Sequence, residues 1–180
     1  MEEDNYYMSL AIAAARVGMS KGNSPFGAVI VDANGTVLAC GHNQVLETGD
    51  PTAHGEIVTI RKAVKDTYLP SFHNVTDMEG KVLGTVQDKP GGMFLEGCTI
   101  YTTTEPCLGC FGFIHWSRIK KIIYGISLDI AAKYGFSELK IYDTQIKEIT
   151  GSQIKIIDGI LEKENMRLFE DWRNRIGVTY

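Results

Sequence analysis

The chain has 180 residues, of which 44% are apolar and 22% are charged, and its formal net charge at pH 7 is −4. That length suits one domain with a sizeable core and is short for two, so we expect a single domain over residues 1–180. The acidic balance gives no general attraction to polyanions, which argues against nucleic acid as a partner. The N-terminus matches no targeting signal and no run is long enough to span a membrane, so we expect a cytoplasmic protein with no membrane partner.

The first part of the chain predicts a helix, a β-hairpin and a second helix. Residues 4–20 have apolar positions spaced three and four apart, which indicates an amphipathic helix. The apolar stripe that we assign to it is Tyr7, Leu10, Ala11, Ala14 and Val17. Two β-rich segments, FGAVIVD and TVLACGHN, are joined around Asn34-Gly35, a strong hairpin signal. Turn residues then precede a helical pattern, so His54 falls at or near a helix start.

The rest of the chain predicts alternating strands and helices after a long connection. Residues 68–97 are rich in Gly, Pro and polar residues, and we expect an irregular insert with at most a short hairpin. The segments CTIYTTT, KKIIYGIS and SQIKIID indicate strands, and PCLGCFGFIHWSRI, DIAAKYGF and EKENMRLFEDWRNRI indicate helices, the last of them in a C-terminal tail at about 161–180. Strands separated by helices predict an α/β fold, a three-layer α/β/α sandwich with a mixed central sheet.

The motif TEPCLGC contains the only closely spaced pair of cysteines, Cys107 and Cys110. A C-x-x-C pair serves as a redox disulfide, as half of a structural zinc site, or as part of a catalytic zinc site. In a reducing compartment, metal-binding and catalytic roles are the commoner ones. A catalytic zinc takes three protein ligands and leaves one position to water, so a third ligand is needed. Of the four histidines, His54 is the best candidate because Glu56 follows it in HGE.

Both motifs follow turn residues and open a predicted helix, so the two helix N-termini would converge on one metal. Zinc lowers the pKa of a bound water to about 7, and a nearby carboxylate that is not a ligand can take the proton and pass it to a leaving amine. Glu56 would be that carboxylate. H-x-E followed at a distance by P-C-x-x-C is the signature of the zinc nucleobase deaminases.

Longer segments extend this similarity over most of the chain. SPFGAVIV, GHN, DPTAHGE with TIRKA behind it, YTTTEPCLGC and IHWSRIKKIIYG together resemble the cytidine-deaminase-like superfamily, in the branch of bacterial guanine deaminases, tRNA adenosine deaminases and fungal cytosine deaminases. The guanine deaminase subgroup fits best, because AAKYGF and FEDWRNRIGVTY are similar to its AAK-x-GF segment and to its tail with F-x-x-WRN and a terminal Tyr. The resemblance implies a cytidine-deaminase-like fold, bound zinc and a homodimer with exchanged C-terminal segments.

The resemblance also implies roles for individual residues. His54, Cys107 and Cys110 would bind zinc, and Glu56 would shuttle protons. Phe26 and Trp116 would sandwich the base between their rings. The Asn43 side chain and the backbone N–H of Gly55 would form hydrogen bonds to it. Glu164 would contact the purine edge, and Tyr180 would close the pocket. Because the tails are exchanged in the subgroup, Glu164 and Tyr180 would serve the partner's site.

From the residues by themselves, the substrate contacts have simpler interpretations. Phe26 and Trp116 are of types that more often lie in a core, Glu164 belongs to a charged run typical of a solvated helix face, and Asn43 could cap a turn. Three departures from the subgroup also stand out. HGE replaces the commoner H-A-E, as in fungal cytosine deaminases, and the Asp expected just before AAK is Ile130, with Asp129 one place earlier. The connection at 68–97 is also far longer than the family's short loop, so it could line the pocket mouth or form an oligomer contact.

We therefore expect zinc-dependent hydrolytic deamination of a small nucleobase or nucleoside, with guanine to xanthine plus ammonia as the first choice. The alternatives are cytosine deamination to uracil, then tRNA adenosine deamination, for which Arg118, Lys120 and Lys121 offer one small basic cluster. A protein that is not an enzyme, with a structural zinc in a binding module, is the alternative of a different class.

Overall fold

The structure is a computed structural model that describes residues 2–67, 71–76, 82–88 and 94–175. Its helices are α1 (Glu2–Ser20), α2 (Val45–Thr48), α3 (Gly55–Thr67), α4 (Leu108–Trp116), α5 (Leu128–Lys133), α6 (Asp143–Thr150) and α7 (Glu162–Asn174). Its strands are β1 (Gly27–Val31), β2 (Val37–His42), β3 (Ser71–Thr76), β4 (Val82–Asp88), β5 (Thr99–Thr104), β6 (Lys121–Ile126) and β7 (Lys155–Ile157). None of these helices is long and apolar enough to cross a membrane.

Five strands form a mixed sheet in the order β2-β1-β5-β6-β7. β1 pairs antiparallel with both β2 and β5, whereas β5, β6 and β7 run parallel. The β1–β2 hairpin turns where the sequence predicts it, and Gly35 supplies the positive φ of 83° that the turn requires.

Both faces of the sheet are buried, which explains why its strands are almost continuously apolar. Alternate residues of β1 point to opposite sides, so Val29 packs into one cluster and Ile30 into the other. α1, α5 and α7 cover the first face, while α3, α4 and α6 cover the second. The predicted three-layer α/β/α sandwich with a mixed sheet is therefore confirmed.

The topology brings four chain segments to one edge of this sheet. β5 and β6 are parallel, so the residues after Thr104 and after Ile126 leave the sheet at the same edge. β1 begins where β5 ends, since Ala28 pairs with Thr102, and β2 ends beside the start of β1. Residues just before β1, after β2, after β5 and after β6 can therefore form one site.

The segment 68–97, predicted as irregular with at most a short hairpin, contains the antiparallel pair β3 and β4, which forms a separate two-stranded sheet. Two details differ from the sequence analysis. The helices α2 and α6 were not predicted. The assigned stripe of α1 is wrong at Val17, which is 51% exposed.

The stripe is rotated because α1 lies directly on β1. A Cβ atom on Gly27 would be 2.3 Å from the backbone oxygen of Ala11 and 2.6 Å from the backbone nitrogen of Ala15. The helix therefore contacts the strand along the line through Ala11 and Ala15, and this orientation turns Val17 toward solvent.

Candidate active site

The three predicted zinc ligands lie at the N-terminal ends of α3 and α4. His54 directly precedes α3, Cys107 is the N-cap residue of α4, and Cys110 lies in the first turn of α4. The carbonyl of His54 accepts the amide of Val58 at 2.9 Å, which fixes the histidine to the helix that follows it. The two helix starts therefore converge, as their motifs predict.

The side chains of His54, Cys107 and Cys110 have the spacing of a tetrahedral zinc site. His54 Nδ1 lies 3.6 Å from Cys107 Sγ and 3.5 Å from Cys110 Sγ. Zinc bonds of about 2.1 Å to nitrogen and about 2.3 Å to sulfur, at the tetrahedral angle, give a nitrogen–sulfur separation of about 3.6 Å. Among the described residues, this is the cluster of potential ligands that could hold a metal ion, and it offers three donor atoms. Three protein ligands are typical of catalytic zinc, whereas structural zinc has four.

The protonation of these three groups is strongly perturbed. The pKa of Cys107 falls to about 4, because the Cys110 thiol donates a hydrogen bond to it and His54 lies on its other side. The pKa of His54 rises to about 9, mainly through its hydrogen bond with Cys107. The pKa of Cys110 rises well above its usual value because it donates to Cys107 and is buried. Cys107 is therefore a thiolate at neutral pH, and a metal ion that binds here would displace the protons of His54 and Cys110.

Glu56 lies beside this cluster but does not belong to it. Its side chain is buried, at 7% exposure, and Thr102 Oγ1 donates to its Oε1 at 3.5 Å. Burial, followed by the nearby Cys107 thiolate, raises the pKa of Glu56 to about 7. The structure thus places a carboxylate in the position that the H-x-E motif predicts, next to the metal ligands and inside the protein.

A cavity of about 160 Å³ opens over these groups. Of the predicted residues, Phe26, Asn43, His54, Glu56 and Cys107 line it. This volume is smaller than the roughly 300–1,000 Å³ of sites for drug-sized ligands, and it suits a single small heterocycle.

The predicted substrate contacts Asn43 and Phe26 are held firmly in the cavity wall. The buried Asn43 side chain accepts the amide of Val45 at 3.1 Å, and its backbone N–H donates to the carbonyl of Phe26 at 2.9 Å. The Phe26 ring packs edge-on against Phe136, with 4.8 Å between ring centroids. Asn43 does cap a turn, and its position also gives it a place in the cavity.

Glu138 is a cavity residue that the sequence analysis missed. It lines the same cavity as Glu56, lies in the loop after α5 and is partly buried. Burial and the Cys107 thiolate raise its pKa. Asp129, one place before the position of the subgroup's Asp, does not replace that carboxylate in the cavity. It is exposed and accepts a hydrogen bond from the Tyr142 hydroxyl at 3.0 Å. The sequence feature that could have indicated Glu138 is its position two residues after the Phe of AAKYGF.

Three predicted substrate contacts, Trp116, Glu164 and Gly55, do not line the cavity of their own chain. Trp116 is 68% exposed and lies about 9 Å further along the axis of α4 than Cys110. Glu164 is exposed in the first turn of α7, a helix whose buried face packs on its own chain. Gly55 begins α3, where a Cβ atom would be 3.2 Å from the carbonyl oxygen of Phe26 and 3.3 Å from the amide nitrogen of Asn43. Tyr180 lies outside the described residues.

Comparison with known proteins agrees with this geometry. The family model for the cytidine and deoxycytidylate deaminase zinc-binding region matches residues 1–126. The chain is 35% identical to the guanine deaminase of Bacillus subtilis over 169 residues, which are 93% of this chain and 92% of that one. It is 32% identical to a tRNA-specific adenosine deaminase of the same organism over 164 residues, covering 91% and 84% of the two chains.

A solved structure shows the same fold at lower sequence identity. The guanine deaminase from Nitrosomonas europaea superposes with a TM-score of 0.70 at 20% identity, over 94% of this chain and 84% of that one. Deaminases are hydrolases that act on C–N bonds, and zinc is the metal of this family. The family match over most of the chain and the site geometry lead to one conclusion: the protein belongs to the zinc-dependent cytidine and deoxycytidylate deaminase family.

Proposed function

We propose that the protein deaminates guanine to xanthine and ammonia. The observation that carries the proposal is a base-sized cavity that places the buried Glu56 beside three zinc-ligand side chains, with a second carboxylate, Glu138, in the same cavity. The choice of guanine is supported by the guanine deaminase relative, whose match covers 93% of this chain.

In this proposal His54, Cys107 and Cys110 hold the zinc. Bound there, the ion supplies a nucleophile at neutral pH by lowering the pKa of water in its open position to about 7. Glu56 would take one proton from the attacking water and give it to a ring nitrogen. It would then take the second proton from the new hydroxyl group on the carbon and pass it to the amino group, so that the C–N bond breaks, ammonia leaves and the carbon becomes a carbonyl. The burial of Glu56 excludes competing solvent from the proton path.

The cavity wall orients the base. Asn43 presents a side-chain amide that can both donate and accept, which suits the carbonyl and ring nitrogens of a purine. Guanine also carries adjacent N–H donors, and the carboxylate of Glu138 can accept from them. Phe26 provides the flat apolar surface on which the ring rests. Because Glu164 is exposed, Glu138 takes the role of contacting the purine edge within one subunit.

The basic cluster offers little support for tRNA as the substrate. Arg118 forms an ion pair with Glu96 and lies over the ring of Phe94, 3.7 Å from its centroid. Its charge is therefore already engaged within the protein, which leaves two exposed or half-exposed lysines for a polyanion that needs several phosphate contacts.

The test is ammonia release by zinc-loaded protein from guanine, guanosine, cytosine, adenosine and a tRNA anticodon stem-loop. We expect turnover of guanine, and a loss of at least about 10³-fold in kcat for Glu56→Gln with the zinc content unchanged. Turnover of cytosine or tRNA in place of guanine would overturn the substrate assignment. A fully active Glu56→Gln variant would overturn the role of Glu56.

We further infer a homodimer formed through the exposed side of α4. Leu108, Phe113 and Trp116 are apolar, lie on that side and are all exposed in the single chain. A second copy packed there would cover them and would place Trp116 in the interface. Exchange of the C-terminal segments between the two chains stays a prediction. The buried face of α7 packs on its own chain, and Tyr180 lies outside the described residues.

We also infer a reducing compartment such as the cytoplasm. All four cysteines are free of disulfides, and two of them lie in the candidate zinc site. Thiolate ligands persist in that form where the redox poise keeps thiols reduced.

A further inference from the structure

Glu105 is a buried carboxylate that connects the loop carrying Cys107 to residues 128–143, a segment that contributes to the cavity wall. It follows β5, lies two residues before Cys107 and is 3% exposed. Its backbone N–H donates to the carbonyl of Ile126 at 2.7 Å. Its Oε2 accepts the backbone N–H of Leu128 at 3.2 Å, and its Oε1 accepts the backbone N–H of Asp143 at 3.0 Å.

These two amides mark the ends of one segment. Leu128 is the first residue of α5 and Asp143 the first residue of α6, so a single side chain holds both ends of residues 128–143. Backbone N–H groups in the first turn of a helix have no partner within the helix. The N-cap residue of α5, Ser127, gives no side-chain cap, so the carboxylate satisfies a donor that would otherwise be buried and unpaired.

The segment 128–143 contributes four residues to the cavity wall: Leu128, Phe136, Ser137 and Glu138. Phe136 packs against Phe26, and Glu138 faces the site from the loop that follows α5. α5 has only six residues, and the loop up to α6 has no regular structure, so local hydrogen bonds fix the segment weakly. The hydrogen bonds that the Glu105 carboxylate accepts are charge-assisted, and they therefore hold the segment more strongly than its local backbone hydrogen bonds do.

Resting on the function proposed above, we propose that Glu105 is a positioning residue. It fixes residues 128–143 relative to Cys107 and thereby sets where Glu138 meets the substrate. Glu105 also lines the cavity, but both of its carboxylate oxygens already accept backbone donors, and we therefore assign it a role through the segment and not a contact to the substrate.

The test compares Glu105→Gln with Asp143→Asn as a matched control. The glutamine keeps the size of Glu105 but turns an amide group toward one of the two backbone donors, which breaks that bond. Asp143→Asn changes a neighbouring buried carboxylate and keeps the backbone N–H that Glu105 accepts. Three readouts are needed: amide hydrogen exchange by NMR at Leu128 and Asp143, zinc content, and KM and kcat for guanine.

We expect amide exchange at Leu128, Asp143 or both to be at least about ten-fold faster in Glu105→Gln. Amide exchange in α1 and α3 and the zinc content should be unchanged. We expect KM to rise about ten-fold with a smaller change in kcat. The resulting loss in kcat/KM should be non-additive with the loss caused by Glu138→Gln. Asp143→Asn should stay within about two-fold of the original protein in both kinetic constants.

Two results would overturn the proposal. Unchanged exchange at Leu128 and Asp143 would mean that Glu105 does not anchor the segment. Faster exchange throughout the protein, with effects additive to Glu138→Gln, would make Glu105 a general stabilising residue only. If the unaltered protein fails to deaminate guanine, the proposed function is wrong, and the exchange measurement alone then decides the role of Glu105.

Discussion

At the scale of single residues, Asp143 combines complete burial with two carboxylate oxygens that have no hydrogen-bond partner among the described residues. Burial first, then the charges of Glu105, Glu56 and Cys107, raise its pKa to about 9. Tyr124 is the other titratable group that interacts with it, and burial raises the pKa of that phenol as well. Asp143 is therefore protonated at neutral pH in the folded protein and ionised in the unfolded chain.

This difference predicts a dependence of stability on pH. Since the folded pKa lies above the unfolded value of 3.8, the protonated group stabilises the fold fully below about pH 4, and that contribution is lost as the pH rises to about 9. Asp143→Asn removes this dependence. We expect the gain in unfolding free energy of Asp143→Asn over the original protein to grow from pH 5 to pH 8, by up to about 1.4 kcal/mol per pH unit.

Urea unfolding at several pH values measures this gain. Glu148→Gln, an exposed acidic residue on the same helix α6, is the matched control and should show no such trend. A constant difference between Asp143→Asn and the original protein across the range would show that Asp143 has an ordinary pKa.

The residues of the metal centre could be predicted from the sequence, whereas part of the cavity wall could not. His54, Cys107 and Cys110 sit at helix starts, where turn residues and apolar periodicity fix their positions, and the structure brings them together. Glu138 lies in a loop without periodicity, so only its position in space shows its relation to the site. Trp116 shows the reverse case, since the resemblance to the family implied a base contact but α4 carries the residue out of its own cavity.

At the scale of elements, α4 serves two purposes at its two ends. Its N-terminus presents Cys107 and Cys110, and its exposed side presents Phe113 and Trp116, whose rings pack edge-on at 5.6 Å. We predict that Phe113→Ser and Trp116→Ser each weaken self-association at least about ten-fold, because buried aromatic side chains dominate interface energies.

Light scattering coupled to size-exclusion chromatography over a concentration series measures this effect. Ile149→Ser, on α6, is the matched control, since Ile149 is 81% exposed and lies on another helix. A monomeric unaltered protein, or a dimer that is insensitive to both α4 substitutions, would contradict the proposed interface.

Element order was predictable, but the contacts between elements were less so. The hairpin at Asn34-Gly35 and the alternation of strands and helices follow from local turn chemistry and apolar patterns. The exposure of Val17 does not follow from local patterns, because the rotation of α1 depends on the missing side chain of Gly27 in β1. α6 escaped prediction because only Asp143 and Ile146 of its eight residues are buried, which leaves too short an apolar pattern.

At the scale of the whole molecule, the mixed sheet explains why one edge carries all the chemistry. The antiparallel β1–β2 hairpin delivers Phe26 and Asn43 to the edge where parallel β5 and β6 deliver Cys107 and the segment with Glu138. Two helices then direct their N-termini at the same point, which favours thiolates and developing negative charge there.

The most direct test of this account is zinc K-edge X-ray absorption on the purified, zinc-loaded protein. We predict two sulfur neighbours at about 2.3 Å and two nitrogen or oxygen neighbours at about 2.0–2.1 Å, with the outer-shell scattering of a single imidazole. His54→Ala should remove the imidazole signal. A site with four protein ligands, or with no imidazole contribution, would contradict a catalytic zinc held by His54, Cys107 and Cys110.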